Sequence, residues 1–358
     1  MFSNPIGIKS FEDRLHKKPM FFNPYTFGGG SVGGWVELGR TTLGSAAASM
    51  SVASLSDKRY YMILYNAFTS GTTDPHCRLN SDTGSNYAYR YSINGAADGT
   101  GVSATRGLIQ AGGSRTTPDF AVGYLSNLSA NEKLWQDNYV SQNTAGAGTA
   151  PDRAEIVWKH AQTSNPVNEI APFSNGSNWD SGSEVVVLGW DPADTHTTNF
   201  WEELGGETLT SSGDTLTSGT ISAKKYLWVQ VYTPNTGGNV NNLLRFNSDS
   251  ASNYAVRVTD DGSVDSTYTS NSSAIAHEFA TATPSFYNFF IINNSANEKL
   301  LTWHHIMQNT AGAGTAPRRQ EGASKWANTS SQITDVTMTN SDSGSYAIGA
   351  TIKVWGSD

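Results

Sequence analysis

The chain has 358 residues, a formal net charge of −8, only 15% charged residues, 35 glycines and 11% aromatic residues. This length accommodates two domains of ordinary size, and an acidic chain without a dense lysine and arginine run is a poor partner for nucleic acid. Neither a signal-peptide pattern nor a run of about 18 apolar residues occurs, which predicts cytoplasmic synthesis without export or membrane insertion.

The N-terminal segment, residues 1–33, differs from the rest of the chain. It carries four basic and two acidic residues, a formal +2, and it is rich in aromatic residues. We predict an extended arm that anchors the protein to an acidic neighbouring subunit, with a disordered leader as the alternative. The anchoring residues are predicted to be Phe21, Phe22, Tyr25 and Phe27.

The remainder of the chain is an internal duplication. The nonapeptide at residues 143–151 recurs at 309–317, and the hexapeptide at 129–134 recurs at 295–300, both at an offset of 166 residues. Repeats of this kind mark a supersecondary or domain unit that occurs more than once. The nonapeptide is constrained either by glycines at positive φ or by contact with a partner, and we favour the first reading.

The offset divides the chain into four predicted segments: an arm over 1–33, a first domain over 34–192, a linker over 193–198 and a second domain over 199–358. Within each copy, short apolar or β-branched runs alternate with Gly, Ser, Asn and Asp clusters, and helical patterns are scarce. Predicted strands of the first copy lie at 60–68, 87–93, 120–125 and 184–190. We predict an all-β fold of two tandem antiparallel jelly-roll β-sandwich domains behind an extended N-terminal arm.

Strand alternation defines an inner and an outer face in each copy. In the segment 226–232, aliphatic residues alternate with aromatic and polar ones, which directs the aliphatic residues to the core. The outward set contains three aromatic residues that we select as candidate glycan contacts: Tyr226, Trp228 and Tyr232. The first copy presents Tyr60, Met62 and Leu64 outward, and such apolar faces predict a homo-oligomer, as a trimer or another closed ring.

Three motifs occur in both copies. A Trp-x-x-Leu-Gly start lies at 35–39 and 201–205, an Arg-x-Asn-x-Asp-x-x-Ser-Asn-Tyr hairpin at 78–87 and 245–254, and a glycine-bounded last strand at 183–189 and 351–356. Together they resemble jelly-roll domains of tailed-phage virion proteins. The resemblance covers both repeats and implies a structural protein of the virion surface, made in the host cytoplasm.

Two compact modules behind a tether suit a capsid decoration protein that binds the major capsid protein or other virion proteins. A tail or fibre receptor-binding protein, and a free lectin that binds cell-surface glycan, are the alternatives. The best polar cluster for a sugar is the hairpin, with Asp82, Asn86, Asp249 and Asn253 as candidate ligands. The structural alternative is that these side chains close the turn while nearby arginines pair with Asp82 and Asp249. Calcium is a weaker alternative, because no spaced run of acidic ligands is present.

Signals for catalysis are weak. The adjacent His304 and His305 would face opposite sides of a strand and could not hold one ion together. The residues near Cys77 in the sequence give no sign of an activated thiol, so we predict that Cys77 is a small core residue. A glycosidase would need two carboxylates that face each other across a cleft, and distant residues such as Glu132 and Asp82 are the alternative that the sequence leaves open for such a pair. We therefore predict a protein that is not an enzyme and that needs no metal or organic cofactor.

Overall fold

The structure is a computed structural model that describes residues 34–110, 116–192, 194, 198–276 and 282–358. In these residues every regular element is a β-strand. The strands form two antiparallel β-sandwiches of jelly-roll type, one after the other along the chain, which confirms the predicted all-β fold. The predicted arm and most of the predicted linker lie outside the described residues. No helix in the described part of the chain is long and apolar enough to cross a membrane.

The first sandwich contains strands β1 to β11. An eight-stranded sheet has the order β1-β11-β2-β7-β8-β9-β4-β5, and a three-stranded sheet has the order β10-β3-β6. The strands are β1 Val36–Thr42, β2 Tyr60–Ala67, β3 Pro75–Leu79, β4 Tyr87–Ile93, β5 Gly99–Ala104, β6 Gly107–Leu108, β7 Asp119–Ser126, β8 Lys133–Ser141, β9 Asp152–His160, β10 Ile170–Ser174 and β11 Glu184–Trp190.

The second sandwich contains strands β12 to β22 and repeats the strand order of the eight-stranded sheet, although its three-stranded sheet is assembled from a different set of equivalent strands. Its sheets have the orders β12-β22-β14-β18-β19-β20-β16-β17 and β13-β21-β15. The strands are β12 Glu202–Thr208, β13 Thr215–Thr217, β14 Tyr226–Thr233, β15 Asn242–Phe246, β16 Tyr254–Asp260, β17 Ser266–Asn271, β18 Ser285–Ile292, β19 Lys299–Met307, β20 Arg318–Trp326, β21 Val336–Asn340 and β22 Thr351–Ser357.

Each sandwich has its own apolar core between its two sheets. In β14 the side chains of Leu227, Val229 and Val231 are fully buried in the core of the second sandwich, as the alternation predicted. The four strands predicted in the first copy correspond to β2, β4, β7 and β11. Cys77 lies in β3 and is fully buried in the first core, which confirms its reading as a core residue.

The Trp-x-x-Leu-Gly motif produces a β-bulge at the start of each sandwich. The register of β1 against β11 shifts between Glu37 and Gly39, and β12 shifts against β22 at the equivalent place. The bulge turns Leu38 over β11, where a Cβ added to Gly189 would lie 2.5 Å from Leu38 Cδ1. The leucine of the first motif and the glycine of the last strand therefore form one packing unit.

The two sandwiches pack against each other through the outer faces of their eight-stranded sheets. The first contributes one half of its outer face. The side chains of this half are Met62, Leu64, Phe120, Val122, Val140, Val186 and Leu188. The second contributes Tyr226, Phe290, Ile292, Leu300 and Ala323, together with Phe200 and Trp201 that precede β12. All of these side chains are buried in one continuous cluster.

Polar contacts surround this cluster. Arg153 in β9 donates from Nε to Asp265 Oδ2 at 2.8 Å and from Nη2 to Asp265 Oδ1 at 2.7 Å, and both side chains are buried. Lys325 Nζ in β20 donates to the carbonyl of Gln142 at 3.0 Å and to that of Thr144. The bidentate geometry of the Arg153 pair fixes the relative orientation of the two sheets.

These contacts correct the prediction that the apolar outer face of the first copy is covered by another chain. Met62 and Leu64 do face outward from the first sandwich, but the second sandwich of the same chain covers them. Their apolar character therefore gives no reason to expect an oligomer. Tyr60 differs from them, because its side chain is 37% exposed at the other half of the same sheet face.

Candidate functional sites on the hairpins and sheet faces

The hairpin between β3 and β4 has a structural role. Asn80 and Ser81 have φ angles of 52° and 53° at the turn. Asp82 Oδ1 accepts from the amide of Gly84 at 2.7 Å, and Asp82 Oδ2 accepts from Asn86 Nδ2 at 2.8 Å. The predicted closure of the turn by Asp82 and Asn86 is confirmed.

The second copy closes its hairpin in the same way. Asp249 Oδ2 accepts from Asn253 Nδ2 at 2.8 Å and from Trp326 Nε1 at 2.7 Å. Although burial acts to raise it, the bonds from Asn253 and Trp326 hold the pKa of Asp249 below its usual value. These hydrogen bonds already occupy the carboxylate oxygens that a sugar or calcium ion would need.

The predicted arginine partners of the two hairpin aspartates are wrong. Arg78 lies over the ring of Phe173 at 4.1 Å, and its Nε donates to the carbonyl of Thr105. The partner of Asp82 is instead His160, with Nε2 2.7 Å from Oδ2. Arg78 lies within β3, whereas Asp82 lies in the turn beyond the end of that strand, so their closeness in sequence does not bring the two side chains together.

Tyr226 is not accessible to a ligand, which corrects the prediction for this residue. It is fully buried between the sandwiches, where its hydroxyl donates to Glu184 Oε1 at 2.7 Å. Lys225 Nζ reaches the same oxygen at 2.9 Å. Although burial acts to raise it, the bonds from Thr42, Tyr226 and Lys225 hold the pKa of Glu184 below its usual value.

Trp228 and Tyr232 do line an open cleft on the second sandwich. The cleft has a volume of about 580 Å³, and aromatic rings form much of its wall. Trp228 lies 5.2 Å from Trp355 between ring centroids, and its Nε1 donates to Asn288 Oδ1 at 2.6 Å. Lys353 and Glu203, which form an ion pair, supply charge at the same cleft.

A larger cleft, which the sequence reasoning missed, opens on the first sandwich. Its volume is about 840 Å³, and Tyr60 and Trp190 stack in its wall with centroids 5.4 Å apart. Leu134 and Val157 reach it from β8 and β9 and are 57% and 48% exposed. The sequence feature that marks this cleft is a set of outward apolar residues on several strands. Only the strand order shows that these strands are neighbours.

The histidines do not form a common site. His304 is exposed and His305 is buried on the opposite face of β19, as predicted for adjacent strand residues. His16, His196 and His277 lie outside the described residues. In the ranges that the structure describes, no group of three or more His, Cys, Asp or Glu side chains could hold a metal ion.

His305 is expected to make stability depend on pH. Burial lowers its pKa to about 4, although its Nδ1 lies 2.9 Å from Gln320 Oε1. Because the unfolded chain binds this proton near pH 6.5, stability should fall as pH drops from about 6.5 to about 4, by up to about 3 kcal/mol. Tyr139 holds the equivalent position of the first sandwich, so H305Y is a fitting substitution.

Urea unfolding of the wild type and H305Y at pH about 7 and about 4.5 measures this contribution. The variant should lose less stability on acidification, and the comparison cancels the contribution of His76, whose pKa burial also lowers to about 4. Equal losses in the two proteins would contradict the assignment to His305.

The carboxylates considered for glycoside hydrolysis have separate partners. Glu132 Oε2 accepts from Lys159 Nζ at 2.8 Å on the surface, whereas Asp82 closes its hairpin with His160. Asp137 is a buried carboxyl in the first core, where its Oδ2 accepts from Trp135 Nε1 at 2.8 Å and burial raises its pKa well above the usual value. Glu132, Asp82 and Asp137 therefore do not form a pair of carboxylates that face each other across either cleft.

Comparisons with known proteins add no family. No protein-family model and no curated protein sequence matches the chain. Among solved structures the chain is similar to domains LG4-5 of the mouse laminin alpha1 chain, with 8% identity over 90% of this chain and 91% of that chain and a TM-score of 0.19. It is also similar to an acyl-CoA hydrolase from Agrobacterium tumefaciens, with 10% identity over 65% of this chain and 76% of that chain and a TM-score of 0.14. At TM-scores this low, neither likeness carries an argument about function.

Proposed function

We propose that this chain is a non-enzymatic structural protein of a tailed-phage virion, and specifically a capsid decoration protein. The observation that carries the proposal is the pair of wide apolar clefts on two sandwiches that are fixed to each other by a buried interface. A subunit that meets only water does not need such surfaces, whereas a subunit of an assembly does. The resemblance of the repeated motifs to those of jelly-roll virion proteins supports the same interpretation.

The N-terminal arm supplies the attachment in this proposal. Its formal +2 contrasts with −10 on the other 325 residues, as follows from the total of −8. Burial of Phe21, Phe22, Tyr25 and Phe27 in a capsid groove would contribute about 1.5–3 kcal/mol each before ordering costs. An anchor of this kind rests on apolar contact, so attachment should survive raised salt.

Deletion of residues 1–30 is expected to abolish attachment to particles while both sandwiches stay folded. The reason is that every strand that the structure describes in the two cores lies after residue 33. Quantitative mass spectrometry of particles incubated with intact or truncated protein measures attachment, and circular dichroism provides the folding control. Equal decoration by the two proteins would remove the arm from the proposal.

Mass spectrometry of purified particles tests the location. Many copies per particle support a decoration protein, a few copies support a tail or fibre protein, and absence defeats the virion proposal. The second candidate is a lectin that binds cell-surface glycan, which the aromatic cleft at Trp228, Tyr232 and Trp355 favours. Glycan-array binding that Tyr232→Ala removes would support the lectin.

A further inference from the structure

The contact between the two sandwiches joins two different surfaces. The first sandwich contributes the half of its outer face beside loop 143–151, which we call a loop face. The second contributes the opposite half, beside Lys325, which we call a lysine face. Because each sandwich derives from the same duplicated unit, each carries both faces, and the chain uses only one of each.

Burial along two equivalent strands shows this division. Outward residues of β8 run from exposed Leu134 at the lysine face to buried Val140 at the loop face. In β19 the order is reversed, with buried Leu300 at the lysine face and exposed Ile306 at the loop face. The lysine face of the first sandwich and the loop face of the second are therefore both uncovered by described residues.

The two uncovered faces hold most of the exposed large apolar side chains. Leu134 and Val157 are 57% and 48% exposed on the lysine face of the first sandwich, where Tyr60 also lies. Phe286 and Ile306 are 39% and 48% exposed on the loop face of the second. These faces coincide with the two aromatic clefts, so one explanation accounts for both clefts.

The polar groups that fasten the internal contact are repeated on the uncovered faces. Arg153 and Asp265 form the internal pair, and the duplication places Arg319 and Asp98 at the same positions. Their side chains are 55% and 47% exposed, against 7% and 1% for the internal pair. An exposed arginine and an exposed aspartate at these positions could form the same bidentate ion pair between chains.

The nonapeptide loop repeats this relationship. In the first sandwich its Gly146 amide donates to Glu298 Oε1, and Lys325 Nζ donates to the carbonyls of Gln142 and Thr144. The identical loop at 309–317 is exposed throughout most of its length. Its partners by duplication, Glu132 and Lys159, form an exposed ion pair with each other.

Some residues of the internal contact differ from their equivalents on the two uncovered faces, and these differences weaken or alter some contacts. The internal contact from Asn294 Nδ2 to Asn66 Oδ1 is replaced by Leu128 and Tyr232, both exposed apolar residues that can pack together. The carboxylate of Glu184 is replaced by the hydroxyl of Thr351, which removes an ionic contact. Association between chains should therefore be weaker than the internal contact and should depend on concentration.

We propose that copies of this chain associate head to tail, with the loop face of one second sandwich packed on the lysine face of the next first sandwich. The contact repeats the one within the chain. It is heterologous, so successive contacts generate a closed ring or a filament of sandwiches. The proposal goes beyond the decoration function and does not depend on it.

Sedimentation velocity over the micromolar range tests the proposal with one variant on each face. Leu134→Arg alters the lysine face of the first sandwich and Ile306→Arg alters the loop face of the second. Each should weaken association by at least about thirtyfold, as expected for a central interface position. Ile348→Arg is the matched control, because Ile348 is 69% exposed outside both faces. Circular dichroism and urea unfolding should show native stability for all three.

Mixing the two face variants gives the sharpest result. The Leu134→Arg chain keeps its loop face and the Ile306→Arg chain keeps its lysine face, so an equimolar mixture should form dimers and nothing larger. A wild type that stays monomeric, or a mixture without dimers, would overturn the proposal. If association appears only after deletion of residues 1–33, the arm of the same chain covers the two faces. If the monomer binds a glycan and Leu134→Arg abolishes that binding, a glycan covers the lysine face. Both results would also overturn it.

Discussion

Replacing Asp265 by alanine is expected to weaken the contact between the sandwiches by about 3 kcal/mol. The substitution leaves the Arg153 guanidinium buried without its bidentate partner, and breaking a buried ion pair on one side costs about 3–5 kcal/mol. Glu155 Oε1 remains 2.6 Å from Arg153 Nη1, which places the effect at the lower end. Calorimetry should show the sandwiches unfolding in two separated steps instead of one.

The matched control for this variant is Asp98→Ala. Asp98 is the equivalent carboxylate of the first sandwich, but it is 47% exposed and pairs with Arg90 on the surface. In dilute protein its loss should change stability by less than about 0.5 kcal/mol. If Asp265→Ala has an effect as small as Asp98→Ala, the ion pair does not hold the sandwiches together.

Sequence patterns were sufficient for the fold because its determinants are local or repeated. Alternation in 226–232 assigned Leu227, Val229 and Val231 to the core, since side chains of a strand alternate between faces. The offset of 166 residues then transferred each strand from one copy to the other. In the structure, glycines of the motifs lie at bulges and close approaches, where added side chains would meet neighbouring atoms.

The neighbours of the outer faces could not be predicted in the same way. Tyr60 and Tyr226 occupy equivalent positions, yet Tyr226 is fully buried and Tyr60 is 37% exposed. The difference arises because the second sandwich follows a first one, whereas no described sandwich precedes the first. A strand pattern identifies which face a residue occupies, but it carries no information about what packs on that face.

Long-range polar pairs were missed for the same reason. Arg153 and Asp265 lie in different sandwiches, and no spacing rule relates residues so distant in sequence. Within the hairpins, turn chemistry correctly predicted that Asp82 and Asn86 close the turn, and the bond between them spans only four residues. The third partner of Asp82 is His160, which the sheet order places beside the hairpin.

The two cores also fill the same space with different residues. Trp135 and Trp158 stack at 4.7 Å between centroids in the first core. In the second core the indole of Trp303 lies across Gly322, with which it is paired in the β19–β20 ladder. The corresponding pair in the first sandwich is Asp137 with Ile156. The two cores therefore place their large aromatic side chains at different positions of the same strands.

Replacing Trp303 by alanine is expected to destabilise the second sandwich by about 3–5 kcal/mol. Trp303 is buried, its Nε1 donates to Ser324 Oγ at 2.9 Å, and Gly322 leaves no side chain to fill the vacated space. Adding Gly322→Ile, the residue at the equivalent place in the first core, should return at least about 1 kcal/mol, because it refills the cavity and removes a strand glycine. Urea unfolding measures both variants, with Tyr232→Ala as the surface control that should stay within about 0.5 kcal/mol. A double variant less stable than Trp303→Ala would mean that the cavity collapses without the indole, and that Gly322 is needed for some reason other than the ring above it.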